Sequence, residues 1–180
     1  VEQKVQGNHL LLDFTIQKTA GNDFSLAASN FSVFLTPNSL DVANGYLDPT
    51  TKGPWDSSND PQHYLDLTAG FSSSYVTLNI NSVTSIATPG AMVTSTPKRI
   101  GRLVIPILDH GGYTTTTWRL TPIQVHNWAQ DKIKNNGDFV TPAPDFPLCN
   151  VPNKPSIAAN NSLQLCPGQT LDLSTLAVGN

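Results

Sequence analysis

The stretch from Lys98 to Leu120, KRIGRLVIPILDHGGYTTTTWRL, constrains the fold more than any other part of the chain. Side chains alternate between the two faces of a strand, so Leu103, Ile105 and Ile107 lie on one side of an extended segment. Asp109 to Gly112 supplies turn chemistry, and Tyr113 to Leu120 is Thr-rich and β-prone, with Trp118 as an inward anchor. Two such runs joined through Gly-Gly predict a β-hairpin. Pro106 offers no backbone N–H, which places the first run at a sheet edge or at a bulge.

The same period of two recurs along the chain. Leu10, Leu12, Phe14 and Ile16 share one face and Leu11, Asp13, Thr15 and Gln17 the other; Phe31, Val33 and Leu35 repeat the pattern, as do Val76, Leu78 and Ile80. Thr19 to Asp23 reads as a turn, Phe24 to Leu26 as extended, and Pro37 with Asn38 as a stop. The expected core is therefore Leu12, Phe14, Ile16, Phe31, Val33, Leu35, Val76, Leu78, Ile80, Leu103, Ile105 and Ile107. The fold class this predicts is all-β, an antiparallel β-sandwich.

Thr121 to Val140 fits two patterns. Thr121-Pro122-Ile123-Gln124 has the caps of a helix start, whereas Gln124 to Ala129 alternates and Asn135-Asn136-Gly137-Asp138 is a hairpin turn signal. The preferred reading is strand, turn, strand, ending at Phe139 and Val140. Residues 1–140 then form the sandwich module. Residues 141–156, with five prolines in sixteen positions, form a semi-rigid linker, and residues 157–180 open a second β-domain that is too short to bury its own core.

Composition narrows the partners. A net charge of -3 without a Lys/Arg cluster argues against nucleic acid. No apolar run approaches the roughly 20 residues a membrane-spanning helix needs, so no membrane insertion by this segment is expected. Val1 to Gly7 is polar and reads as mature chain rather than a secretion signal.

The long Asn44 to Asp66 segment holds the candidate sites. Tyr46, Trp55 and Tyr64 could form a stacking platform for sugar rings, or else cover the open end of the sandwich. Asp48, Asp56 and Asp60, with Asn59, carry the hard oxygen ligands that calcium takes, although their spacing does not fit an EF-hand loop and such residues are ordinary turn formers. Apart from calcium no cofactor is suggested. His9, His63, His110 and His126 lie in separate segments, and no nucleophile-and-base motif is visible, so no enzyme activity is expected. Cys149 and Cys166 have the wrong spacing for a metal knuckle; they are joined to each other or pair with cysteines beyond this stretch.

The order LLLDFTIQKTAGNDFSLAASNFSVFL, SSYVTLNINSV, IGRLVIPILD, TTWRL, and then a proline linker into SLQLCPGQTLDLS resembles secreted modular proteins of gliding and related Bacteroidetes, which leave the cell by type IX secretion. Their N-terminal module is similar to cohesin-like and carbohydrate-binding-module-like sandwiches, and LCPGQTLDLS resembles the first strands of their Ig-like repeats. The resemblance implies a cohesin-like or jelly-roll-like sandwich at the cell surface or outside the cell, with a distant C-terminal sorting domain. It transfers no site residue. The function expected is a structural or adhesive module whose partner is another surface protein; the alternative is a carbohydrate-binding module accessory to a secreted enzyme, with a polysaccharide ligand.

Overall fold

Strands account for most of the regular structure of the computed structural model, which describes residues 1–83, 89–119, 125–126, 132–133 and 146–148. In chain order they are β1 (Glu2–Gln6), β2 (His9–Ile16), β3 (Phe24–Ser25), β4 (Ser29–Leu35), β5 (Tyr46–Leu47), β6 (Tyr64–Phe71), β7 (Tyr75–Ser82), β8 (Met92–Val93), β9 (Lys98–Pro106), β10 (Tyr113–Thr114) and β11 (Thr116–Trp118). They are followed by β12 (Val125–His126), β13 (Lys132–Ile133) and β14 (Phe146–Pro147). Two antiparallel sheets, ordered β1-β2-β9-β5 and β11-β4-β7-β6, carry the body, and β3-β8, β10-β14 and β12-β13 are short added pairs.

The alternation read from the sequence is what packs the two sheets together. Leu10, Leu12 and Phe14 of β2 and Leu103 and Ile105 of β9 face Phe31, Val33 and Leu35 of β4 and Val76, Leu78 and Ile80 of β7 in one apolar cluster. Ile107 is buried as well and Ile16 packs against the cluster, so the expected core set is the core. Burying each of these side chains contributes roughly 1.5–3 kcal/mol relative to exposure. Trp118 packs inward, edge-on to Phe14 with ring centroids 6.0 Å apart. Together these make the fold an all-β antiparallel sandwich.

Three features differ from the sequence expectation. The runs on either side of Gly111-Gly112 do not form a hairpin: β9 already has β2 on one side and β5 on the other, so the chain crosses to the second sheet and β11 pairs with β4. Because β9 is internal, Pro106 is tolerated only as its last residue, where the ladder ends. A bulge does occur in β9, but near Gly101 rather than at the proline. Val125–His126 pairs antiparallel with Lys132–Ile133; the turn read at Asn135–Asp138 lies outside the described residues.

The proline-rich segment is not spacer throughout. Phe146–Pro147 pairs with β10, Leu148 is fully buried in the core, and Leu148 N donates to the Gly112 carbonyl at 3.1 Å. Residues 146–148 therefore belong to the sandwich. The remainder of the linker, the second β-domain at 157–180, and Cys149 and Cys166 lie outside the described residues.

Candidate functional site

The segment from Asn44 to Asp66 is pinned to the body rather than open to a ligand. Trp55 and Tyr64 are 0% and 1% exposed. The Trp55 indole Nε1 donates to the Ala91 carbonyl at 3.2 Å, and the Tyr64 hydroxyl donates to the Leu26 carbonyl at 2.7 Å. Burial pushes the Tyr64 phenol up to about 12. Only Tyr46, at 49% exposure, faces solvent, so the three aromatics do not make a stacking platform; two of them are core. Their polar edges reach backbone carbonyls far along the chain, which lets such large rings be buried whole.

The three aspartates are likewise separated, each with its own partners. Asp48 Oδ1 accepts from Thr50 N and Oγ1 and begins the short turn Pro49–Thr51; the Thr50 hydroxyl holds its carboxyl below the ordinary range. Asp56, 1% exposed, accepts from Lys52 Nζ at 2.8 Å, Ser58 N at 2.9 Å, Ser58 Oγ at 2.5 Å and Leu67 N at 2.8 Å. Burial pushes the Asp56 carboxyl up, but these donors outweigh it and hold the group well below the usual carboxylate range. Asp60 is bonded to His63 Nδ1, and Asn59 Nδ2 donates to the carbonyls of Lys52 and Gly53. Among the described residues no three His, Cys, Asp or Glu side chains stand close enough to hold a metal ion, and the Lys52 ammonium already occupies the place a cation would take at Asp56. The calcium set does not assemble.

What remains are the two outward sheet faces. On β1-β2-β9-β5, Arg102 clasps Asp13 through Nε at 3.0 Å and a second nitrogen at 2.7 Å, and Arg99 Nε reaches the same carboxylate at 2.9 Å. The Asp13 hydrogen bonds raise the Arg102 pKa. Both arginines of this face are thus held by Asp13, while Glu2 and Lys4 of β1 stand exposed at its edge.

The face of β11-β4-β7-β6 is different in kind. Antiparallel register sets Asn30 opposite Asn79, Ser32 opposite Thr77 and Phe34 opposite Tyr75, with Thr68 beyond Asn79 and Thr117 beyond Phe34. Asn30 Nδ2 donates to Asn79 Oδ1 at 2.5 Å, Ser32 and Thr77 hydroxyls are 2.8 Å apart, and Asn81 Nδ2 donates to Asp66 Oδ1 at 2.6 Å. A shallow groove of about 310 Å³ runs between Asn30, Thr68, Asn79 and Asn81. At the other end Phe34 and Tyr75 meet edge to face at 6.3 Å, and the Arg119 guanidinium lies 4.1 Å from the Tyr75 ring centroid and 5.7 Å from that of Phe34. Phe34 is 42% exposed. The signal for this corner was available: Phe34 and Tyr75 are aromatics on the polar phase of two alternating strands.

No protein-family model matches the sequence. A comparison with curated proteins likewise finds no match. Among solved structures the chain is similar to the second type II cohesin module from the adaptor ScaA scaffoldin of Acetivibrio cellulolyticus, with a TM-score of 0.49 and 12% sequence identity over 74% of this chain and 82% of that one.

Proposed function

We propose that this chain supplies a non-catalytic binding module of a secreted or surface-anchored modular protein, and that it docks a protein partner on the outer face of β11-β4-β7-β6. One observation carries the reading: the stacked Arg119–Tyr75–Phe34 corner on a face otherwise built mainly of Asn, Ser and Thr, with Asp66 bonded to Asn81 at its far end. Binding energy at protein interfaces concentrates on Tyr, Trp and Arg anchors, and the interface centre is depleted in charge. A pre-stacked guanidinium loses little freedom on binding, and short polar side chains already bonded to one another present a flat, ordered surface. On the opposite sheet the guanidinium groups of Arg99 and Arg102 are both engaged by Asp13.

The module works outside the cell or on its surface, in series with the β-domain that begins at residue 157, with Cys149 and Cys166 closing the joint between them. It requires no cofactor. The polysaccharide reading asked for an exposed Trp55 coplanar with another aromatic, and Trp55 lies in the core.

The test is capture of partners from a secreted-protein fraction by wild type and by Phe34→Ala, Tyr75→Ala and Arg119→Ala, alongside retention on a panel of polysaccharides. Each face variant loses about 2 kcal/mol of binding, Tyr46→Ala on the other sheet loses none, and no polysaccharide is retained. Equal capture by all variants, or retention on a polysaccharide, contradicts the reading.

A further inference from the structure

The turn at Asn59 to Tyr64 contains a juxtaposition that partner docking does not use. Asp60-Pro61-Gln62-His63 closes a tight turn in which the Asp60 carbonyl accepts two backbone N–H groups, from His63 at 3.3 Å and from Tyr64 at 3.1 Å. The Asp60 side-chain carboxylate is gripped by the His63 imidazole, with Nδ1 at 2.7 Å from one oxygen and 2.9 Å from the other. Both side chains keep about a quarter of their surface in water, 24% and 23%. A carboxylate, a polarised carbonyl on the same residue, a proline nitrogen as leaving group and an imidazole proton donor therefore share one turn.

We propose that the Asp60–Pro61 peptide bond is a self-cleavage site, cut by the Asp60 carboxylate with His63 as proton donor. An Asp60 side-chain oxygen attacks the residue's own main-chain carbonyl carbon, and the new C–O bond closes a cyclic anhydride. The two N–H groups from His63 and Tyr64 stabilise the oxyanion that forms on the way. The C–N bond to Pro61 then breaks, and its electron pair stays on the proline nitrogen, which takes a proton delivered by the His63 ring. Proline suits this role because its nitrogen is more basic than that of an ordinary amide and leaves as a secondary amine. Water opens the anhydride, leaving Asp60 with two free carboxylates, and the net change is hydrolysis of one peptide bond. The reacting groups belong to one residue, so the attack needs no encounter.

The nick leaves the sandwich assembled. Residues 1–60 contribute β2 and β4, whose ladder partners β9 and β7 lie beyond the cut, so each sheet is held by strands from both fragments.

The chain carries its own comparison. Asp48–Pro49 is a second Asp–Pro bond, but the Asp48 carboxylate is held by Thr50 N and Oγ1 instead of by an imidazole. The experiment incubates the purified chain in mildly acidic buffer and follows it by intact mass, denaturing and native gels, and sequencing of new N-termini. Cutting is expected at Asp60–Pro61 ahead of Asp48–Pro49, with a new N-terminus reading PQHYLD and a single species on the native gel. His63→Gln, checked for an unchanged circular dichroism spectrum, slows the cut roughly a hundredfold, and Asp60→Ala abolishes it. An intact chain, equal rates at the two Asp–Pro bonds, faster cutting after unfolding in urea, or an unchanged rate in His63→Gln overturns the proposal.

Discussion

Asp56 organises more of its surroundings than any other polar residue described. Its carboxylate ties Lys52, Ser58 and the Leu67 backbone N–H together at a site 1% exposed. Asp56→Asn keeps the shape but leaves the Lys52 ammonium without its counter-charge, and should cost about 2–3 kcal/mol of unfolding free energy in a urea titration; Lys52 reaches water, which limits the loss. Because the folded-state pKa of Asp56 is depressed from the ordinary 3.8, its contribution is complete at neutral pH. It is lost as the pH falls below the ordinary carboxylate range towards the folded value. The thermal midpoint of wild type should therefore drop steeply in acid, and Asp56→Asn should flatten that slope; parallel acid limbs for the two proteins would contradict this role. None of it was legible in the sequence, since an aspartate in a turn-rich stretch looks the same whether it caps a turn or ends a buried strand edge. Trp55 and Tyr64 were opaque for a related reason: their fate depends on the carbonyls of Ala91 and Leu26, each more than thirty positions away.

At the scale of elements, legibility followed the strength of alternation. β7 buries every second side chain; β2, β4 and β9 bury some residues of the opposite phase as well, but their apolar phase faces the core throughout, and the inward residues of all four could be read directly. β1 could not, because an edge strand of Glu2, Gln3, Lys4, Val5 and Gln6 is held by its ladder to β2 rather than by an apolar face. β6 was hidden by a register shift between Tyr64 and Asp66, which puts Tyr64 and Leu67 on the buried side three positions apart and breaks the period. The order of strands was out of reach for another reason: alternation says which side of a strand is buried, not which neighbours it takes. The loop before β6 depends on close approach to β9. Gly53 N donates to the Ile100 carbonyl at 2.9 Å, and a Cβ on Gly53 would collide with the Arg99 carbonyl oxygen. Gly53→Ala should detach this loop at a cost of roughly 2 kcal/mol, seen as rapid limited proteolysis between residues 48 and 63; wild-type resistance would mean that the contact is dispensable.

The described residues present two outer sheet faces of unlike chemistry, one centred on Asp13 clasped by Arg99 and Arg102, and one built mainly of short polar side chains and ended by Arg119 stacked on Tyr75. The candidate face was half legible: Tyr75, Thr77, Asn79 and Asn81 stood out as the polar side of a strand and Phe34 lay on the outward phase of another, but nothing in the sequence said that these strands would be neighbours or that Arg119 would join them. That juxtaposition comes from β4 and β11 pairing across 82 intervening positions, with Thr117 opposite Phe34. The most direct test places a photo-crosslinking side chain at Thr77, in the middle of this face, and in a second protein at Lys4, exposed on the opposite sheet, and irradiates each with a secreted-protein fraction. The account predicts a covalent protein adduct from position 77 that disappears in the Tyr75→Ala background, and none from position 4. An adduct from position 4 alone, or from neither position, would contradict it.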